Sequence, residues 1–137
     1  MIYYTYFHFI MNYGLLLWGR SSDSEKNFRL QKNIIRIMLG CRSRDSCRKL
    51  FQKLQILTLP SQYIFYLLLF VTNNRNQYTV NSEIHHINTR QHSTFHQPLP
   101  SLTKYQKGTY CLGIKGYSDF LLISKMYLII QTESSQF

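Results

Sequence analysis

Apolar residues gather in four blocks before the chain changes texture at Arg75, and each block has the spacing or the punctuation of a helix. The first, YYTYFHFIMNYGLLLWG, is apolar nearly all round, as in a helix buried within a larger assembly, and Gly19 fits its end. The second, SSDSEKNFRLQKNIIRIMLG, offers Ser22 or Ser24 as a cap, Asp23 and Glu25 for the positive N-terminal end, and Gly40 as a stop. At about 100° per residue, Phe28, Leu30, Ile34, Ile35, Ile37, Met38 and Leu39 fill roughly a 200° arc, and Lys26, Arg29, Lys32 and Arg36 share the rest. After the connector CRSRD, Ser46 can cap a two-turn helix with Leu50, Phe51 and Leu54 facing inward. Pro60 then occupies the tolerant first turn of a fourth helix, which ends at Asn73 and Asn74.

Beyond Arg75 the residues are Asn, Gln, Ser, Thr and His, with Pro98 and Pro100, which predicts a loop of about thirty residues. The last stretch is ambiguous, because Gly108, Gly113 and Gly116 weaken a helix while its Tyr and Ile positions fit either period. The expected fold is mainly α: a small bundle of about four helices over residues 1–74, a polar loop over 75–102, and an extension over 103–137 of open secondary structure.

A chain of 137 residues holds one small domain or a piece of a larger one. Its 45% hydrophobic and 15% aromatic content is too apolar for a disordered basic tail. Sixteen Lys and Arg against six Asp and Glu give a net charge of +10, so a partner held by charge is anionic, with nucleic acid and acidic membrane the leading classes. The charge is concentrated: residues 20–53 carry ten cations and three carboxylates, a net of +7. Phosphates could sit against Lys26, Arg29, Lys32, Arg36, Arg42, Arg44, Arg48, Lys49 and Lys53, with salt-dependent affinity and no reading of sequence. From charge alone, a merely solvated outer helix face explains the same stripe.

Catalytic chemistry is poorly provided for. No two of the six carboxylates are adjacent, and there is no Gly-x-Ser-x-Gly elbow or Walker loop, so neither a two-metal site nor a hydrolase is expected. His85, His86, His92 and His96 lie close together with Cys111 further on, yet their spacing fits loop hydrogen bonding better than zinc, and no metal or cofactor is expected. Cys41, Cys47 and Cys111 match no disulfide framework, which points to reduced thiols and an intracellular location, cytoplasm or nucleus. Residues 2–18 carry no Asp, Glu, Lys or Arg and could form a membrane anchor. His8, Asn12, Thr5 and four tyrosines within them, with neither a basic leader nor a cleavage site, favour a soluble bundle.

These residues resemble, in order, the region C-terminal to the polymerase core of reverse transcriptases from non-LTR, jockey-like retrotransposons. YFHFIMNYGLLLWG is similar to the family's first helix after the palm, with its Tyr-Gly step at Tyr13-Gly14 and Trp-Gly end at Trp18-Gly19. LQKNIIRIMLG matches the Leu-Gln-Lys helix through Leu30, Gln31, Lys32, Ile34, Ile35, Arg36 and Ile37. Leu50, Phe51, Ile56, Leu57, Thr58 and Leu59 fill the places of a Leu-Phe pair and an Ile-Leu-Thr-Leu turn. HHINTRQHS resembles a His-x-x-Asn-Thr-Arg box, here His85, Asn88, Thr89 and Arg90, a secondary candidate for nucleic-acid contact. The resemblance implies a thumb-like bundle that tracks a template-primer duplex. It also implies partners, the palm and fingers of the parent polymerase, whose aromatic-x-Asp-Asp motif is absent here. After residue 116 the family's pattern is lost. The expectation is a non-catalytic reverse transcriptase fragment with weak affinity for RNA or RNA-DNA duplex; the alternatives are a small protein anchored in a membrane by residues 2–18 and a host-retained protein-interaction module.

Overall fold

Helical hydrogen bonding dominates the chain, and the fold is mainly α. The computed structural model describes residues 2–91, 93–106 and 108–134, with side chains in the last helix up to Met126 and that of Leu128. The chain divides into two compact units, one up to Tyr66 and one from Leu67.

In the first unit, the uncharged segment is broken where one buried helix was expected. A π-helical turn, Tyr3–His8, runs into α1 (Phe9–Asn12), and α2 (Leu15–Trp18) follows a break. At that break Tyr13 is extended and Gly14 has a left-handed φ of 66°, a conformation that costs other residues about 1–2 kcal/mol. The Tyr13 carbonyl, turned out of the helix, accepts the Trp18 indole N–H at 2.9 Å. A side chain on Gly19 would strike the Tyr63 ring and lie 2.6 Å from the Leu15 carbonyl oxygen. The Tyr-Gly and Trp-Gly steps are thus a turn and a close-packing device. Tyr3, Met11 and Leu15 are buried, whereas Tyr13 is 82% and Leu17 86% exposed, so the segment covers the core with one side only.

α3 (Ser24–Met38) and α4 (Arg48–Leu54) form where the amphipathic pattern places them, but their capping differs from expectation. The residues preceding them, Asp23 and Cys47, already have helical dihedrals and make no side-chain cap, and neither Ser22, Ser24 nor Ser46 supplies one. Both helices end in the same hydrogen-bonded turn. Cys41 N–H reaches the Arg36 carbonyl and Gly40 N–H that of Ile37; Ile56 and Gln55 repeat the pattern on Phe51 and Gln52. The left-handed residue is Gly40 in the first case and Gln55, φ 54°, in the second.

The inward arc of α3 is narrower than its apolar residues imply. Gln31 and Ile35 are buried and Phe28, Ile34 and Leu39 partly so, while Leu30, Ile37 and Met38 face solvent. Ile35 packs with Tyr3, Cys47, Phe51 and Ile56, and Leu50 and Leu54 flank them as predicted. Gln31 is the polar centre of this unit: its Nε2 donates to the Tyr3 hydroxyl (2.9 Å) and the Leu57 carbonyl (3.0 Å), and its Oε1 accepts the Leu59 N–H (2.8 Å). Leu59 opens α5 (Leu59–Asn73), with Pro60 in its first turn, so one amide serves three segments.

The second unit packs Val71, Tyr78, Phe95 and Ile114 together, with Tyr117 at the edge. The polar loop is more ordered than its composition implies. It holds a 3-10 turn (Arg75–Gln77), α6 (Asn81–His85) and an isolated antiparallel bridge between Val80 and Phe95. No strand occurs among the described residues. After α7 (Thr103–Gln106), the ambiguous terminal stretch is one helix, α8 (Thr109–Ser134). Gly113 allows close approach: a Cβ there would lie 2.7 Å from Val71 Cγ2.

Candidate nucleic-acid interface

Positions 26, 29, 32 and 36 fall within an arc of about 120° on α3 that excludes buried Gln31 and Ile35, with Lys32 at its core-side edge, about 60° from Ile35. Their surroundings differ. Lys26 meets Asp23 at 3.1 Å and Arg29 meets Glu25 at 2.8 Å, both in exposed pairs, which contribute about 0–1 kcal/mol and yield readily to a competing anion. Lys32 holds its ammonium 4.2 Å from the centre of the Phe28 ring, a cation–π contact made by a half-buried stem. Arg36 donates from Nε to the Asp45 carbonyl (3.1 Å) and from Nη1 to Asn33 Oδ1 (3.2 Å).

That Arg36 bond fastens the connector to the end of α3, and Asp45 tightens it further by accepting the Arg42 backbone N–H at 2.9 Å. Arg42 and Arg44 are exposed on this loop, beside the negative end of the α3 dipole. On α4, Arg48, Lys49 and Lys53 are exposed; Lys49 and Lys53 lie about 160° around the helix from buried Phe51, and Arg48 about 60° from it. All nine cations therefore stay out of the core. The structure brings four onto one side of α3 and fixes the two connector arginines next to its C-terminus.

The secondary group does not assemble. His85 ends α6 and stacks edge-on against His96, with ring centres 5.5 Å apart, and Asn88, Thr89 and Arg90 are exposed on the following loop. Arg90 alone of these lines a cleft of about 440 Å³, with Asn81 and Lys125, which no motif had singled out. His96 Nδ1 lies 3.3 Å from Asn81 Oδ1, the loop hydrogen bonding expected of it. Among the described residues no three His, Cys, Asp or Glu side chains converge, and all three cysteines are free; His92 lies outside them. No single helix among the described residues is long and apolar enough to cross a membrane, although α4 and α5 together, bent by 55°, have the length and composition.

Burial sets the titration of several rings. It raises the Tyr3 hydroxyl pKa, partly offset by the Gln31 hydrogen bond, and raises that of Tyr63, where Arg20 opposes it. It lowers the pKa of His8, whose Nδ1 lies 3.3 Å from the Gln62 amide nitrogen. Comparison with protein-family models, with curated proteins and with solved structures finds no match.

Proposed function

We propose that this chain is a nucleic-acid-binding, non-catalytic helical module, akin to the thumb region of a non-LTR retrotransposon reverse transcriptase separated from its palm. The observation that carries the reading is the division of α3 and α4 into a core-facing sector centred on Gln31, Ile35 and Phe51 and a set of cations kept out of the core, continued by the arginine-bearing connector. Such a surface neutralises phosphates through long, mobile side chains and displaces their counterions, giving affinity without sequence preference. The ordered resemblance of the four motifs adds the substrate class, an RNA or RNA-DNA duplex. Chemistry would require the adjacent aspartates of a palm, which this sequence lacks.

Arg44, Lys49 and Lys53 are exposed, so reversing all three to Glu tests the surface without disturbing packing. Retention on an RNA-DNA duplex at low salt should fall, and the slope of log affinity against log salt should shrink by roughly 2–3, near 0.7–0.9 per lost phosphate contact. Unchanged binding would overturn the proposal. Primer extension with Mg²⁺ or Mn²⁺ tests its other half, since incorporation by pure protein would contradict a non-catalytic role.

A second reading has its own support. Tyr6, Phe9, Tyr13 and Leu17 are exposed on the first segment, and apolar area of this kind usually meets another protein. Concentration-dependent association without duplex binding would favour an interaction module over a nucleic-acid binder.

A further inference from the structure

The cleft of the second unit has two walls of different origin. One is a side of α8, where Ser118, Leu121, Leu122 and Lys125 recur at intervals of three and four residues. The other is the segment around Phe95, which hydrogen bonds from Asn81 hold in place. Asn81 N–H donates to the Thr94 carbonyl (3.0 Å), and Asn81 Nδ2 donates to Thr94 Oγ1 (2.9 Å) and the Gln91 carbonyl (3.2 Å). The His96 N–H donates to the Thr79 carbonyl at 2.8 Å, completing the bridge on which this wall rests. One short residue thus ties both ends of a turn to the start of α6, and the cleft is braced before any ligand arrives.

The lining is chemically lopsided. Among the described residues it contains two cations, Arg90 and Lys125, the His96 ring and no carboxylate, with the amides of Gln91 and Gln97 as further donors. Among the described residues neither cation has an acidic partner. The same lining includes an apolar surface of Phe95, Leu121 and Leu122. The volume of about 440 Å³ falls in the range of small-molecule sites and holds on the order of ten waters, far more than a bare oxyanion displaces. Charge calls for an anion, and the apolar surface with the surplus volume calls for an organic body attached to it.

We infer that this cleft binds a small organic phosphate monoester, its phosphate between Arg90 and Lys125 and its apolar or ring portion on Phe95, Leu121 and Leu122. Arg90 offers the planar fork suited to two phosphate oxygens, and Lys125 supplies a compact charge from across the cleft. The inference goes beyond the proposed function, since it uses none of the α3 and α4 cations.

Titrations of the full chain with phenyl phosphate, inorganic phosphate and phenol, followed by amide NMR shifts, separate the two halves of the site. Phenyl phosphate should saturate and shift the amides of Asn81, Gln91 and Ser118, inorganic phosphate should bind the same residues at least tenfold more weakly, and phenol should not saturate. Arg90→Gln with Lys125→Gln should weaken phenyl phosphate binding at least tenfold. Leu122→Ser should bring phenyl phosphate close to inorganic phosphate in affinity. All three residues are exposed, so the variants should keep the wild-type helicity. Absence of saturable binding, equal affinity for the two phosphates in the wild type, or undiminished affinity in the double variant would overturn the inference. Charge reversal of Arg44, Lys49 and Lys53 should leave phenyl phosphate binding unchanged, so the failure of either reading can be recognised separately.

Discussion

Replacing Gln31 by Met keeps the side-chain length and removes both ends of its amide. The Leu57 carbonyl would still accept from Gln62 Nε2 at 3.2 Å, so two groups are stranded: the Leu59 N–H at the head of α5 and the Tyr3 hydroxyl. A stranded buried polar group costs about 1–3 kcal/mol. Burying an apolar side chain in place of an amide returns about 1 kcal/mol, leaving a net loss of about 3 kcal/mol. Urea unfolding followed by far-UV circular dichroism measures it as a lowered midpoint. Tyr3→Phe removes one partner while Gln31 keeps the other two, and should cost about 1 kcal/mol. In the Tyr3→Phe background Gln31→Met should then cost less than alone, because one stranded group is already gone. A loss under about 0.5 kcal/mol for Gln31→Met would refute the assignment of Gln31 as the centre of the first unit.

Four further outcomes follow from the geometry. Gln55→Gly should stabilise the chain by about 0.5–1 kcal/mol in the same assay, because Gln55 sits at a left-handed φ of 54° where glycine is unstrained. Gly113→Ala should lower the melting temperature: the Cβ would lie 2.7 Å from buried Val71, and overpacking of about 1–3 kcal/mol exceeds a helix-propensity gain of about 1. The Tyr78 hydroxyl is buried without a hydrogen-bond partner among the described residues, so Tyr78→Phe should leave stability unchanged or raise it by up to about 1 kcal/mol, measured by thermal unfolding. His8 has a depressed pKa in the fold, so the unfolded chain binds the extra proton first. Its contribution is complete above about pH 6.5 and is lost as pH falls toward the folded value, a dependence that His8→Gln should remove from the pH profile of the urea midpoint.

The helices from Ser24 to Asn73 were legible because amphipathic spacing, Gly40 and Pro60 agree with one another. The inward role of Gln31 was not, because polarity argues for exposure and only the proximity of Tyr3 and Leu57 makes burial affordable. Leu30 and Ile37 misled in the opposite sense: they share the apolar character of Ile35 but lie beyond the sector that the core covers. The terminal helix was hidden by its glycines; the backbone penalty of Gly113 is offset by close packing on Val71 that no local window contains. That the nine basic residues stay out of the core was legible, since burying an unpaired charge is costly whatever the tertiary structure. The cleft could not: Asn81, Arg90 and Lys125 belong to different stretches of chain and meet only through the Val80–Phe95 bridge and α8.

The contacts of Arg36 and Lys32 bear on how an anion would be met along α3. A guanidinium already steadied by the Asp45 carbonyl and an ammonium resting on the Phe28 ring surrender little rotational freedom when a phosphate arrives, whereas the exposed lysines of α4 surrender most of theirs. The middle of the row would act as a stiff anvil and its flanks as loose fingers, so equal charges along this surface would carry unequal shares of the grip on a bound anion.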